Sequence, residues 1–391
     1  MARNIDLVMD KINKQMGEII CKEGVELEHV EKIPFSSPTA NYMTYGGVPR
    51  GKAVEFFGSE GGGKTTTALD VAGNAQKLYK REYQEQVDEL NQKIDELKPK
   101  AGKRDIDNKI KKIQTQLDEL QAQGAQLVAY LDLEQTLDEE WAKQLGVNLD
   151  ELILIRPQSQ TAEQMLQITM DLMDTGNVGL VVLDSIPCLV PQVIFDETME
   201  KKSYGGVAGP LAVFSGKVVP HMNKHKTTLI MINQEREDLS SPYSTYSTPG
   251  GRAVKHLYSL RIRFRKGSLL DENNREVPSK TENPAGNIVQ TEIIKTKVCK
   301  PNRRIGHYTL NYLKGIDAIA DTIELALRFQ YIVQAGAWFT FMDPETGEII
   351  CDEDGNDLKF QGMSKLLAYL QSDEIMLEEL KSRLHDALTQ E

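Results

Sequence analysis

The sequence predicts an α/β fold in which a mostly parallel, twisted sheet is buried between helices. Apolar runs rich in Val, Ile and Leu recur along the chain, and stretches with helical periodicity separate them. A glycine-rich turn follows the first run. Parallel strands form such continuous apolar runs because helices cover both faces of their sheet. The predicted strands are Ala53–Phe57, Leu127–Leu131, Leu152–Ile155, Gly179–Leu183 and Thr228–Ile232.

Two later runs, Leu260–Phe264 and Val289–Val298, alternate apolar and polar side chains and lie closer together in the sequence. Alternation is typical of antiparallel strands with one solvated face. We expect both runs to add antiparallel strands to the sheet.

An amphipathic helix is predicted over residues 4–20. Its apolar positions follow helical spacing: Ile5, Val8, Met9, Ile12, Met16 and Ile19. A helix of this length is marginal alone, so the apolar stripe must pack on another surface. The chain's own core and a neighbouring subunit both satisfy that requirement.

Residues 80–123 interrupt the alternation of strands and helices with two amphipathic helical stretches. Apolar residues repeat at spacings of three and four, and Pro99 and Gly102 mark a turn between the stretches. This pattern predicts an antiparallel coiled-coil hairpin inserted between the helix Thr66–Ala75 and the strand Leu127–Leu131. Its charged faces are either a solvated surface or a docking arm for a protein partner.

The charge distribution is uneven. The net charge of −12 argues against non-specific nucleic-acid binding by the chain as a whole. Residues 341–391 alone contain 13 acidic and 4 basic residues, whereas residues 251–267 contain six cations and no acid. No apolar run is long enough to cross a bilayer and no secretory leader precedes the fold, so we expect a cytoplasmic protein.

The turn after Ala53–Phe57 has the pattern G-x-x-x-x-G-K-T, which is a phosphate-binding P-loop. Backbone N–H groups of such a loop surround the β-phosphate of a nucleotide, and the lysine contacts the β- and γ-phosphates. The threonine hydroxyl binds Mg²⁺. We therefore expect ATP and Mg²⁺ at Gly58, Ser59, Glu60, Gly61, Gly62, Gly63, Lys64, Thr65 and Thr66.

Acidic residues follow two other predicted strands. Asp184 ends the run Leu180–Leu183 and suits a carboxylate that holds Mg²⁺ through a water molecule. Glu134 follows Leu127–Leu131 and is our candidate for activating the attacking water in ATP hydrolysis. Asp132 is the rival for that role.

Gln234 follows the run Leu229–Ile232 and can both donate to a phosphate oxygen and accept from water. A stretch rich in Ser, Thr, Tyr and Pro comes next, at Glu235–Pro249. We interpret it either as a loop ordered by ligand and nucleotide or as an ordinary surface loop.

Several ordered motifs resemble those of the RecA-type recombinases of bacteria and phages, over nearly the whole chain outside the insertion. These motifs are GSEGGGKTTTAL from Gly58, LDLEQTLDEEWAKQLGV from Leu131, LVVLDS from Leu180, MINQER from Met231, TPGGRAVKH from Thr248, IIKTKV from Ile293 and QAGAWF from Gln334.

The resemblance implies a role for each matching residue of the nucleotide site. Glu134 matches the catalytic glutamate, and Gln234 matches the glutamine that senses the γ-phosphate. Trp141 and Asp138 match residues at the adenine. Lys295 and Lys297 match lysines that reach the ATP of the adjacent subunit, where cations stabilise the charge of the transition state.

The resemblance also implies two DNA-binding loops, one at about 194–206 and one at about 235–249 that continues to Lys255. Local cations, aromatic rings and close-approach glycines suit contacts to backbone and bases. The implied DNA-binding residues are Lys201, Lys202, Tyr204, Gly205, Gly206, Arg236, Tyr243, Tyr246, Gly250, Gly251, Arg252 and Lys255.

The implied organisation is an N-terminal oligomerisation segment (1–34), a RecA-like ATPase core (35–312) and a small α+β C-terminal domain (313–391). The implied activity is DNA-dependent ATP hydrolysis by a homo-oligomeric filament on single-stranded DNA, which pairs with homologous double-stranded DNA. Two alternatives remain open. One is a hexameric helicase-like motor on the same core, and the other is an ATP-binding regulator that engages a protein partner through the insertion.

Overall fold

The structure of the chain is a computed structural model that describes residues 4–16, 30–100, 102–196, 206–238, 245–352 and 354–389. The chain divides into residues 1–31 and 32–391. The first unit contains helix α1 (Asn4–Met16), in which Ile5 and Val8 are exposed. Ile19, the last position of the predicted stripe, lies outside the described residues.

The main unit begins with the elements that form one half of the sheet and its helices. In chain order they are β1 (Lys32–Ile33), α2 (Pro38–Thr44), β2 (Val48–Pro49), β3 (Ala53–Gly58), α3 (Lys64–Leu97), α4 (Arg104–Gln123), β4 (Leu127–Asp132), α5 (Glu139–Gln144), β5 (Leu152–Ile155), α6 (Ala162–Asp174) and β6 (Val178–Asp184).

The second half completes the sheet. Its elements are α7 (Gln192–Phe195), α8 (Ala208–His225), β7 (Thr228–Gln234), β8 (Arg236–Asp238), β9 (Thr245–Ser247), α9 (Gly251–Leu257), β10 (Leu260–Leu270), β11 (Glu276–Val277), β12 (Gly286–Thr296), β13 (Ile305–Asn311) and β14 (Gly315–Ile316).

Six parallel strands form the centre of the large sheet, in the order β10-β3-β7-β6-β4-β5. The predicted α/β class is therefore confirmed. One face packs on α3, where Tyr79 is buried with Phe56, and the other packs on α6 and α8, where Met165 and Phe214 are buried. This arrangement brings the carboxyl ends of β3, β4, β6 and β7 to one edge of the sheet.

The antiparallel part of the sheet differs in one respect from the prediction. β12 pairs antiparallel with β10 and β13, as expected for Val289–Val298. Leu260–Phe264, however, pairs parallel with β3 on its other side, so the expectation of a wholly antiparallel strand was wrong. The short helix α9 returns the chain to the amino ends of the parallel strands before β10 begins, and β10 therefore runs in their direction.

The predicted insertion is a hairpin of α3 and α4 whose interior contains Val87, Ile94 and Leu117. The helix after the P-loop does not end at Ala75 as predicted, because α3 continues without a break to Leu97. No proline or glycine occurs from residue 74 to residue 98, so nothing in the sequence ends the helix earlier.

The C-terminal elements are α10 (Ala318–Arg328), β15 (Ile332–Ala335), β16 (Trp338–Phe341), β17 (Lys359–Gln361), α11 (Met363–Ser372) and α12 (Glu374–Thr389). They share an apolar cluster that includes Ile323, Phe341, Leu366 and Leu380, and Tyr42 of α2 also belongs to it. Among the described residues, no helix has the length and hydropathy needed to span a membrane.

Candidate functional site

The P-loop connects β3 to α3 at the carboxyl edge of the sheet. Gly58 has a φ of 150° and Gly63 a φ of 92°, which is a region that residues with side chains rarely adopt. A Cβ atom on Gly58 would lie 1.9 Å from the carbonyl oxygen of Phe264 in β10. The glycines therefore allow the loop to lie directly against the neighbouring strand.

Lys64 is the first residue of α3 and is 8% exposed. Its Nζ donates a 2.6 Å hydrogen bond to the carbonyl oxygen of Ser59, so the side chain spans the loop. Burial lowers the pKa of Lys64, and the nearby carboxylates of Asp184 and Glu134 oppose that change. The amino group therefore points into the centre of the loop, within the field of both acids.

Thr65 and Asp184 meet across the gap between α3 and β6. The Thr65 hydroxyl donates a 2.8 Å hydrogen bond to Oδ2 of Asp184, and the Tyr130 hydroxyl donates a 2.6 Å hydrogen bond to the same oxygen. Burial of the carboxyl raises the pKa of Asp184 to about 6. A carboxylate in this environment gains stability from a nearby cation.

Glu134 lies just beyond the end of β4, which pairs in register with β6 so that Asp132 faces Asp184. The Ser185 hydroxyl donates a 2.6 Å hydrogen bond to Oε1 of Glu134. Glu134 is thus adjacent to the residue that follows Asp184, and it remains partly exposed.

Asp132, the rival, has a different environment. It is 2% exposed, and its carboxylate accepts hydrogen bonds from the backbone N–H groups of Thr136 and Leu137. Arg156 Nε donates a third at 3.1 Å. These contacts fix the turn after β4 and occupy both oxygens of the Asp132 carboxylate.

Gln234 is the last residue of β7 and pairs in register with Gly58 of the P-loop. The residue before it, Asn233, donates from Nδ2 to Glu55 Oε1 at 2.8 Å and to the Pro249 carbonyl at 3.0 Å. The structure thereby ties the start and the end of the predicted second loop to strand β3.

The predicted adenine contacts lie on the other side of the P-loop. Trp141 Nε1 donates a 3.4 Å hydrogen bond to Thr66 Oγ1, and Asp138 caps α5 by accepting from the N–H groups of Glu140 and Trp141. Trp141 lines an open cavity of about 430 Å³ together with Gly61, Gly62, Gly63, Lys64, Thr65, Thr66, Lys266, Asn287, Leu310 and Tyr312.

Four residues of that cavity, from Lys266 to Tyr312 in the chain, were not identified from the sequence. They come from β10, β12 and β13 and from the turn after β13, and no local motif connects them to the P-loop. Lys266 Nζ lies 5.8 Å from the centre of the Tyr312 ring. The only indication in the sequence was the cluster of cations around Lys266.

Lys295 and Lys297 do not line the P-loop cavity of their own chain. Lys295 Nζ donates to the Lys255 carbonyl at 2.6 Å, and Lys297 Nζ donates to the His256 carbonyl at 3.0 Å. These carbonyls belong to the end of α9. The register of the sheet places Lys295 level with Glu55, about 10 Å along β3 from Gly58.

Several predicted DNA-binding residues lie outside the described residues: Lys201, Lys202, Tyr204, Gly205 and Tyr243. Of the others, Gly206 is exposed just before α8, and Arg236 is exposed in β8, which pairs with β9. Gly250 and Gly251 have positive φ angles of 105° and 77° at the start of α9. Arg252 is exposed on α9, and Lys255 is half-buried there, where burial lowers its pKa.

A contact at the second loop was also missed by the sequence reasoning. Arg263 Nη2 forms an ion pair with Glu235 Oε1 at 2.6 Å, and its guanidinium carbon lies 4.7 Å from the centre of the Tyr246 ring. Arg263 therefore joins the residue after Gln234 to strand β9 of the same loop.

Known proteins are similar to this chain along nearly its whole length. The sequence model of the RecA N-terminal domain matches residues 3–88 and 108–317, so it skips the distal part of the hairpin. The chain is 30% identical to protein RecA of Fusobacterium nucleatum over 97% of this chain and 83% of that protein. It is also 30% identical to protein RecA of Oceanobacillus iheyensis, over 96% of this chain and 89% of that protein.

Protein RecA of Mycoplasma mobile is 28% identical and is matched over 100% of this chain and 98% of its own length. A crystal structure of the RadB recombinase covers 71% of this chain and 96% of its own, with a TM-score of 0.44 and 17% identity, a likeness too weak to bear on function. The family model and the near-full-length relatives establish the family of this chain. This chain belongs to the RecA family of DNA recombination and repair ATPases.

Proposed function

We propose that this chain binds ATP and Mg²⁺ at the P-loop, hydrolyses ATP when bound to single-stranded DNA, and assembles into a filament that performs homologous pairing and strand exchange. The convergence of Lys64, Asp184, Glu134 and Gln234 on one edge of the sheet is the observation that supports this most directly. These residues come from three different strand ends and one helix, and only the fold brings them together.

The residues around the loop fit a nucleoside triphosphate with a divalent cation. Backbone N–H groups at the start of α3 and the Lys64 amino group provide donors for phosphate oxygens. Thr65 offers a hydroxyl to the cation directly, and Asp184 offers a carboxylate through water. A divalent cation held by these residues would supply positive charge next to the β- and γ-phosphates.

Glu134 is the better candidate for orienting and deprotonating the attacking water. It accepts one hydrogen bond from Ser185 and is partly exposed, so it retains capacity for a water molecule. Asp132 is buried and already accepts three hydrogen bonds, which leaves it a structural role. Gln234, beside Gly58, supplies an amide that contacts the γ-phosphate and connects it to the second loop.

Lys295 and Lys297 act on the ATP of the adjacent subunit in this proposal. Their distance from the P-loop of their own chain supports that role, because neither can complete the site in cis without a large displacement. Filament formation would therefore assemble the complete active site, with residues 1–34 as the oligomerisation segment.

The DNA-binding loops at about 194–206 and 235–249 and the division at 34 and 312 stay predictions. All but one of the buried residues of one apolar cluster lie between Ile323 and Leu384, and the exception is Tyr42 of α2, which supports a C-terminal domain that packs on α2 of the core. Similarity to RecA proteins along nearly the whole chain does not favour the helicase alternative.

The decisive experiment measures ATP turnover with and without single-stranded DNA, together with strand exchange between a circular single strand and a homologous linear duplex. We expect DNA-stimulated turnover and joint-molecule formation. ATP binding without any stimulation by DNA would contradict the proposal and favour the regulator. Closed six-fold rings in electron micrographs taken with ATP and single-stranded DNA would favour the motor.

A further inference from the structure

The helical hairpin is neutral as a whole, but its charges are segregated along its length. Residues 80–123 contain ten Lys or Arg and ten Asp or Glu. Seven of these cations and only two of the acids fall within residues 98–112, which we call the basic tip, with a net charge of +5. The rest of the hairpin, residues 80–97 and 113–123, which we call the shaft, has a net charge of −5. A surface that serves only solubility needs no such separation, because interspersed positive and negative charges are sufficient for solubility.

All three cations of the shaft form ion pairs, whereas six of the seven cations of the tip have no ion-pair partner among the described residues. Arg81 lies 3.7 Å from Glu85, and Lys93 lies 2.5 Å from Glu89. In the tip, Lys98 pairs with Asp95 at 2.7 Å. In the described part of the hairpin, the other tip cations are exposed and have no ion-pair partner: Lys100, Lys103, Arg104, Lys109, Lys111 and Lys112. Clustered like charges destabilise a helix, so this arrangement has a cost that a binding role would offset.

The hairpin holds this charge away from an acidic protein. Tyr79 is the last residue of α3 in the sheet's core, and 18 more helical residues extend to Leu97, about 27 Å further. Arg50 fixes the base of the hairpin through a 2.7 Å ion pair with Glu82. The buried side chains of Ile94 and Leu117 keep the two helices together. The tip is thus a cationic surface at the end of a stiff arm on a chain with a net charge of −12.

We propose that the basic tip binds the phosphate backbone of duplex DNA without sequence preference. A duplex presents about one negative charge per 1.7 Å of its axis, which suits several closely spaced cations. The tip contains no Phe, Tyr or Trp, so it lacks the stacking surface that single-strand sites use. Its two isoleucines, Ile106 and Ile110, are half-buried within the hairpin, so the described residues of the tip offer no large exposed apolar anchor of the kind that a protein interface uses.

This inference extends the proposed function, because strand exchange requires a duplex held beside the filament. It assigns a role to a segment of which residues 98–107 lie outside the match to the RecA family model, which is interrupted from residue 89 to residue 107. Contacts to phosphates alone would let a filament sample duplexes of any sequence, while base pairing within the filament selects the homologous one.

The test compares two triple variants of the full chain with equal net charge. The tip variant combines Lys103→Gln, Arg104→Gln and Lys109→Gln, and the control combines Lys80→Gln, Lys280→Gln and Lys314→Gln, all at exposed positions. Fluorescence anisotropy measures binding to a labelled random-sequence duplex between about 50 and 200 mM salt. We expect the tip variant to bind about tenfold more weakly at low salt, with a log–log salt slope shallower by about 2 to 3, and the control to match the wild type.

Unchanged duplex affinity in the tip variant would overturn the proposal and leave an acidic protein as the partner to seek. An equal loss in the control would also overturn it, because net charge alone would then explain the effect. The proposal would also be overturned if polyglutamate displaced the labelled duplex as effectively as unlabelled duplex does.

ATP turnover stimulated by single-stranded DNA is measured on the same samples. Its retention in the tip variant shows intact filament function, and its absence from the wild type would contradict the proposed function, while duplex binding still decides the role of the tip.

Discussion

Arg263 and Glu235 form an ion pair at 2.6 Å in which both side chains are largely buried, and the Tyr246 ring lies against the same guanidinium. Glu235 follows Gln234 directly in the chain, and its N–H donates to the carbonyl of Gly58 in the P-loop. Arg263 therefore contacts both the strand end beside the nucleotide site and strand β9 of the second loop.

We predict that Arg263→Gln lowers the rate of ATP turnover measured with DNA by a larger factor than the rate measured without DNA. The change leaves Glu235 without its buried partner, at a cost of about 3 kcal/mol in the free energy of unfolding. Arg265→Gln, two residues along the same strand and exposed, is the matched control. The double variant Arg263→Gln/Glu235→Gln should lose less stability than the sum of the two single variants. Additive losses would show that the two side chains are not coupled.

Glu134→Gln should bind ATP normally but hydrolyse it at least about 100-fold more slowly, because an amide cannot accept the proton of the attacking water. Filaments of this variant should persist longer after ATP is added, as light scattering can measure. Asp132→Asn is expected instead to destabilise the fold through lost contacts to Arg156 and the following turn. Normal turnover by Glu134→Gln would make Asp132 the candidate.

Lys64→Ala should abolish productive ATP binding, because the buried amino group at the centre of the loop is removed. Binding of a fluorescent ATP analogue measures the loss, and the circular dichroism spectrum checks that the fold is retained. Wild-type turnover by this variant would contradict the assignment of the P-loop.

The pKa of Asp184, raised to about 6, predicts a pH-dependent contribution to stability. A carboxyl whose pKa is higher in the folded than in the unfolded chain binds more protons when folded, so it lowers stability as the pH rises from about 4 to about 6. Without nucleotide, the stability of the wild type relative to Asp184→Asn should therefore fall over this range by about 2 to 3 kcal/mol. The affinity of the wild type for Mg²⁺ and ATP should instead increase as the pH rises through about 6, because Asp184 then becomes a carboxylate. If the difference in the free energy of unfolding between the two proteins did not change with pH, the buried environment of Asp184 would be contradicted.

Mixing experiments can test whether Lys295 and Lys297 act on a neighbour. Lys295→Ala/Lys297→Ala and Glu134→Gln should each be inactive alone. In an equimolar mixture, about a quarter of the sites would combine an intact Glu134 with an intact lysine pair from the adjacent subunit, so turnover should recover to about that fraction of the wild type. No recovery would indicate that the lysines act within their own chain.

Local sequence signals predicted the parallel strands and the P-loop because each depends on contiguous residues. The direction of β10 was not predictable in this way, since it depends on where α9 returns the chain relative to β3. The length of α3 could have been predicted from the absence of Pro and Gly between Asn74 and Lys98. The hydrogen bonds that occupy the Asp132 carboxylate could not have been predicted, because Arg156 is 24 residues away and its contact with Asp132 exists only after folding. Lys266 and Tyr312 likewise reach the cavity only through the pairing of β10, β12 and β13.

The first turn of α3 contains the last residues of the P-loop, and its last turn adjoins the basic tip, so a single helix of 34 residues reaches from one to the other. At 1.5 Å per residue this helix is about 51 Å long, and a tilt of about 5° at its first turn displaces its far end by about 4 Å. Any reorientation of the helix in response to nucleotide is therefore mechanically amplified at the outer end of the insertion.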